Sequence, residues 1–328
     1  MLQVRINEIE ITPLAAESMG VRSLATRVTT PDISITFDPS AALAFRNSLD
    51  PHPLEYQALK SALGRILEST KTSDAVTVSH YHYDHIRPRL TNYHYNFSSK
   101  DNFRDIYRSK IILAKDSREQ INPSQRRRAF YFQKDLEDIV DDIRWADSRT
   151  FVFGETSITF SPPLPHGPKD SRLGFVLSTI LEHDSKRFLF APDVQGPIEK
   201  QTLSFLLEAK ADVAIIGGPP IYLHKFQESH RQSALFSLTM LASSIPVLVI
   251  DHHLLRSPDW LSWSKPIHSA ARNAGNQVLT MAEFGQYELR PLEAQRQNLY
   301  REFPPDEKFM EWVSGSADHK KQNPPPLI

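Results

Sequence analysis

Residues 80–85 read His80-Tyr81-His82-Tyr83-Asp84-His85, directly after the short apolar run Ala75-Val76-Thr77-Val78 and Ser79. In extended chain, side chains at i and i+2 point the same way, so His80 and His82 can grip one ion together. Asp84 and His85 fall past the strand end, where a turn can aim them at a second ion nearby. Imidazole and carboxylate are the usual ligands of zinc, and they also suit iron and manganese. A chain with such a run needs a rigid strand end beneath it, and further ligands brought in from distant sequence.

The 328 residues suffice for that, with 40% hydrophobic and 10% aromatic. The net charge of −1 gives no bulk attraction to nucleic acid or an acidic membrane, so a nucleic-acid role would need a local basic patch. There are no cysteines, which excludes disulfides, thiolate-held zinc, iron–sulfur clusters and thiol catalysis. The N-terminal stretch Met1-Leu2-Gln3-Val4-Arg5-Ile6 has no basic-then-apolar signal pattern, and no apolar run reaches the ~18 residues of a membrane span. A cytoplasmic protein is the expectation.

Alternating residues at 21–29 and 33–37, separated by Thr30-Pro31-Asp32, predict a β-hairpin. Leu54, Ala58, Leu59, Ala62, Leu63, Ile66 and Leu67 mark an amphipathic helix over 53–69, opened by Pro53. Residues 90–135 read as an insertion or lid, and 124–143 as a helix rich in both charges. A hairpin is expected over 150–160 and further strands over 173–181, 187–191, 212–216 and 246–250. Helices are expected over 198–210, 227–243, 259–274 and 291–301. The pattern predicts one α/β domain over 1–303, built as two mixed sheets face to face with helices outside. The polar, Pro-rich stretch 304–328 is expected to be a loosely packed tail.

The run at 80–85 matches the H-x-H-x-D-H signature of the metallo-β-lactamase superfamily. The chain resembles in particular a group of archaeal proteins of that fold, over roughly residues 10–300. The resemblance implies an αββα sandwich and a site for two divalent metal ions, zinc first, with iron or manganese as alternatives. It assigns His166, in Pro163-Leu164-Pro165-His166-Gly167, to the first metal with His80 and His82. It assigns a bridging role to Asp193, after Phe188-Leu189-Phe190-Ala191. It gives a last ligand to Ile250-Asp251-His252-His253, where His252 is favoured and His253 is left to contact substrate or stabilise the transition state. Asp84, His85 and His252 would hold the second metal. Asp38 and Asp251 would support the ligands by hydrogen bonds, since metal-bound imidazoles need such partners.

The implied activity is hydrolysis, with a hydroxide between the two cations attacking an ester, phosphoester or related bond of a small molecule, and with Asp84 orienting it. Departures from the superfamily narrow this. Its di-iron reductases typically carry Glu where His82 stands, and too little chain follows His253 for their electron-transfer module. Nucleases with a large insertion after the bridging aspartate need more chain than lies between Asp193 and His252. The alternatives are a compact nuclease or phosphodiesterase, marked by a basic channel of Arg104, Arg108 and Arg126–Arg128, and a non-catalytic metal-binding protein. Gly217-Gly218 after a strand lacks the Lys and Ser/Thr of a phosphate-binding loop and reads as a tight turn. His94 reads as a surface residue beside Tyr93 and Tyr95.

Overall fold

The computed structural model describes residues 4–169 and 171–327. The first sheet is formed, in spatial order, by β1 (Val4–Ile6), β2 (Ile9–Pro13), β3 (Thr26–Thr29), β4 (Ser34–Phe37), β5 (Ala75–Val78), β6 (Ile111–Ala114) and β7 (Asp142–Trp145). Its first three pairings are antiparallel and its last three parallel. Helices α1 (Pro53–Thr70), α2 (Lys100–Tyr107) and α3 (Pro123–Leu136) make the parallel crossovers.

The second half repeats the plan. Strands β8 (Thr150–Phe153) and β9 (Thr156–Phe160) form a hairpin, and β10 (Leu164–Pro165) pairs with β11 (Phe175–Val176) in a separate two-stranded ribbon. Then come β12 (Thr179–His183), β13 (Lys186–Ala191), β14 (Val213–Gly217), β15 (Val247–Asp251) and β16 (Gln277–Leu279). The sheet order is β16-β15-β14-β13-β12-β9-β8, with β13 through β16 parallel. Helices α4 (Lys200–Glu208), α5 (Glu228–Ser244) and α6 (Trp260–Ala274) are its crossovers, followed by α7 (Met281–Phe284) and α8 (Leu292–Glu302).

The period-2 pattern of each strand divides the core into three layers. Ile35 and Phe37 of β4 meet Phe188 and Phe190 of β13 between the sheets, with Phe37 ring centroids 5.8 and 5.1 Å from theirs. The alternate residues Leu189, Ala214, Ile216, Leu248 and Ile250 face α4–α6, while Val76 and Val78 face α1–α3. This is the expected sandwich of two mixed sheets with helices outside. No helix of the described residues is long and apolar enough to cross a membrane.

Two expectations fail. Residues 100–136 are not a lid: they form α2, β6 and α3, and β6 lies between β5 and β7 within the first sheet. The reading went astray because Ile111-Ile112-Leu113-Ala114 is a short run among charged and aromatic residues, too brief to announce a strand by periodicity. The predicted helix over 124–143 accordingly stops at Leu136, and β7 begins at Asp142. The C-terminal tail is also not loose. It forms α9 (Glu307–Ser314) and α10 (Ala317–Gln322), capped by Asp306 and Ser316, with Phe309 and Trp312 buried against Tyr56. An apolar stripe of two aromatics is enough to dock a helix that polar composition had concealed.

Candidate metal centre

The parallel strands of both sheets end at one rim, and the side chains singled out in the sequence converge there. At the end of β5, Ser79 donates its N–H to Asp38 Oδ1 (2.8 Å), and one turn follows in which His85 and Ile86 N–H both reach the His82 carbonyl. His80 and His82 point the same way, with ring centroids 4.6 Å apart. Tyr81 between them points into the first helical layer, where its hydroxyl donates to the Lys115 carbonyl.

Asp193 is the centre of the cluster. Its Oδ2 lies 3.0 Å from His80 Nε2, 2.8 Å from His85 Nε2 and 3.6 Å from His166 Nε2. Its Oδ1 lies 3.1 Å from His252 Nε2 and 2.7 Å from His253 Nε2. Ligand atoms of His80, His82, His166 and Asp193 all lie within 4.8 Å of one another, and so do those of Asp84, His85 and His252. Asp38, His80 and His85 form a further such group, so His80 and His85 each belong to two. His253 forms a group with Asp193 and His252 and also lines the open cavity, so both members of the pair reach the carboxylate.

Backbone strain marks the same places. Asp38, Asp193 and His252 have φ of 46°, 50° and 65°, a left-handed region that non-glycine residues enter at a cost of ~1–3 kcal/mol. Each sits immediately past or within a residue of a strand end, where the chain must turn sharply to present its side chain. Two glycines make room. A Cβ on Gly217 would lie 2.6 Å from the Asp193 backbone nitrogen, and one on Gly167 (φ +83°) would lie 2.3 Å from Gln195 Oε1. Gly217 therefore serves close packing under the site as the last residue of β14, and the tight turn expected of Gly217-Gly218 does not form.

Hydrogen bonds hold the rings. Asp38 Oδ2 contacts His85 Nδ1 at 2.9 Å, and the Ser79 hydroxyl lies 3.0 Å from His80 Nδ1. Asp251 accepts from the backbone N–H of Ser18, His252 and Met281, tying the end of β15 to both sheets. Sequence reasoning missed Glu17. It is buried in a short 3-10 turn, and its carboxylate contacts His252 Nδ1 at 2.8 Å and accepts from Arg256 at 2.5 Å. Only a buried acid in an apolar stretch hinted at it. His94 was misread as a surface residue: it is buried, 2.6 Å from Asp50 and stacked 3.7 Å from Tyr95.

The electrostatics suit cations. Burial pulls His80 and His253 well below the ordinary imidazole value and His82 down to about 3, which keeps them neutral with lone pairs available. Burial works the same way at His85 and His252, but there Asp193 with Asp84, and Glu17 with Asp193, outweigh it. His85 is held well above its ordinary value and His252 at about 9. Burial would raise Asp193, yet the surrounding imidazoles hold it well below the usual carboxylate range. The His166 Nε2 atom is buried without a hydrogen-bond partner. A buried polar atom left so costs free energy unless something takes its lone pair. The neutral imidazoles of His80, His82 and His253, a central carboxylate and the unpartnered His166 nitrogen together fit a metal site, and a cation there would take the place of the protons that the carboxylates favour on His85 and His252.

Above the cluster opens a cavity of about 470 Å³, walled by Tyr83, Asn96, Arg128, Tyr222 and Arg256 among others. Arg104, Arg108, Arg126 and Arg127 are exposed and do not line it, so the basic channel expected of a nuclease does not form there.

No family model matches the chain. The UPF0282 protein of Methanopyrus kandleri is 37% identical over 294 residues, 89% of this chain and 99% of that protein. The UPF0282 protein of Methanocaldococcus jannaschii is 40% identical over 251 residues, 76% of this chain and 85% of that protein. A solved structure of a metal-dependent hydrolase of the β-lactamase superfamily aligns over 83% of this chain and 95% of its own, with 10% identity and a TM-score of 0.46. Identity of 37% to the Methanopyrus protein, sustained along 89% of this chain and 99% of that one, means that the chain belongs to the UPF0282 family.

Proposed function

We propose that the chain is a metal-dependent hydrolase acting on an ester, phosphoester or related bond of a small molecule. In this reading His80, His82 and His166 hold one divalent cation, Asp84, His85 and His252 hold a second, and Asp193 serves both. The observation that carries it is the central place of Asp193, which touches members of both sets: its Oδ2 faces His80 and His166 of the first and His85 of the second, while its Oδ1 faces His252 of the second and the neighbouring His253. Divalent cations bound there would lower the pKa of water toward neutrality and polarise the bond under attack.

The chain's own residues would supply the rest. Asp84 Oδ2 stands at the cavity floor, 3.7 Å from His252 Nε2 and 3.8 Å from Arg256, placed to orient the attacking water by accepting its hydrogen bond. His253 lines the cavity beside Asp193 and can hydrogen-bond a substrate oxygen. The buried sheet ends beneath exclude bulk water, which strengthens each of these interactions.

Metal content by plasma mass spectrometry, on protein purified without chelator or His-tag, tests the reading alongside a His80→Ala/His82→Ala double variant. About two zinc, iron or manganese ions per chain, lost in the variant, is the expected result. Less than half an ion, unchanged by the substitutions and not restored by added metal, overturns it.

A further inference from the structure

Three guanidinium groups face the cavity above the His/Asp cluster, and two are already committed. Arg22 makes a two-pronged pair with Glu293, 2.7 Å on each prong, and Arg256 is bound to Glu17 at 2.5 Å. Arg128 is different. Among the described residues no carboxylate oxygen lies within 4.0 Å of its side-chain nitrogens. Its Nη1 makes one long bond, 3.3 Å, to the Tyr81 carbonyl, and its guanidinium stands 5.0 Å from the Tyr83 ring centre. A guanidinium carries five N–H donors, so most of its capacity is available to something in the cavity.

Its position is fixed rather than incidental. In α3 the neighbours Arg126 and Arg127 are exposed, while Arg128 is half-buried and reaches the cavity wall. The helix is pinned by buried Gln125, whose amide donates to the Leu173 carbonyl (2.6 Å) and accepts from Tyr81 N–H (3.2 Å). The Arg128 guanidinium carbon lies over the Tyr83 ring at a cation–π distance, which helps to hold the group at the cavity wall. The acids of the cavity floor, Asp84 and Asp193, are the groups that bound cations would neutralise. With those taken, Arg128 leaves the wall positive.

We propose that Arg128 receives a pair of anionic oxygens, phosphoryl or carboxylate, on the small-molecule substrate, and so restricts the enzyme to anionic substrates. This deepens the hydrolase reading and rests on it. A planar fork opposite two such oxygens gives two parallel charge-assisted hydrogen bonds.

The test is calorimetric titration of inorganic phosphate and, separately, of acetate into the full chain, zinc-loaded and after chelation. Wild type, Arg128→Ala, Arg128→Lys and, as a surface control, Arg126→Ala are compared, and metal content is measured on each sample. The expected result is that one anion binds the zinc-loaded wild type, that Arg128→Ala weakens it roughly tenfold or more, that Arg128→Lys weakens it less, and that Arg126→Ala leaves it unchanged. Whichever anion binds names the oxoacid class. Binding unaltered in Arg128→Ala overturns the proposal. So does failure of both anions to bind wild type that carries its full metal complement, and that outcome leaves the hydrolase reading standing. Absence of metal in every sample defeats the hydrolase reading whatever the titrations give.

Discussion

In the first sheet a single strand end, that of β5, presents His80, His82, Asp84 and His85. In the second half of the chain His166, Asp193 and His252 come from three separate strand ends, that of β10 in the two-stranded ribbon and those of β13 and β15 in the second sheet. The strand plan is the same on both sides, three antiparallel pairings followed by three parallel ones. The difference lies in how tightly each half packs its chemistry into sequence. The first half concentrates four polar groups in one turn, so its geometry is set locally. The second scatters its groups, so theirs depends on the whole sheet being in register. The halves also interlock: Glu17, from the first, holds the ring of His252, from the second.

The sharpest way to break this comparison is to remove the group proposed to serve both sets. Asp193→Ala should abolish stoichiometric binding of both metals and lower hydrolysis by ~10³-fold or more, about 4 kcal/mol of activation free energy. Loss of one ion only, seen by plasma mass spectrometry, would mean that the halves hold metal independently. Next in size is the contact between sheets. Phe37→Ala should cost about 3–5 kcal/mol in urea denaturation, and it should disturb the Asp193 side as much as the His80 side, because Phe37 packs on β13. A variant that retained one intact metal group would show that the site does not need the sandwich closed.

Smaller effects should follow from the carboxylates that hold the rings. Asp38→Asn acts on His85 and Glu17→Gln on His252. Each should weaken metal affinity ~10–100-fold. Competition with a chelator dye measures both, and an effect at His85 alone would restrict ring support to the first half. The smallest effect concerns Asp50, which joins His94 of the cavity loop to Lys320 of the tail. Burial would raise Asp50, but hydrogen bonds from His94 and Lys320 hold it below the usual value. A depressed carboxylate stabilises the fold above its unfolded pKa, ~3.9, and that contribution fades as pH falls through the folded value. Asp50→Asn should therefore loosen α10 at pH 7, by under about 1 kcal/mol once screening is allowed for. It should also remove the acid dependence of α10 amide exchange. Unchanged exchange in the variant would detach the tail from this pair.

What could be read in advance follows the same division. The run at 80–85 was legible because its spacing is local and its composition rare. Asp193 and His166 were legible only through their order along the chain, since a lone Asp or His after a strand has many ordinary explanations. Helices α1, α4, α5, α6 and α8 announced themselves by long periodic stripes. Strand β6 did not, being four residues long and buried on both sides, where alternation disappears. Glu17 was opaque for another reason: it meets His252 and Arg256 from far away in sequence, and nothing in the neighbouring residues encodes that meeting. Arg128 was visible as one of a basic triplet, but nothing local told it apart from Arg126 and Arg127.

The docking of the tail bears on how the molecule is made. Lys320 reaches Asp50, and the carbonyl of Lys321 accepts from Tyr93 N–H, in the loop that carries Asn96 to the cavity wall. Domains take shape from the N-terminal end as synthesis proceeds. The His-rich turn and both sheets are therefore made before α9 and α10, and that loop receives this fastening only once those later helices have emerged. Changes in α10 would act on the same late step, at the edge of the cavity and not on a remote surface.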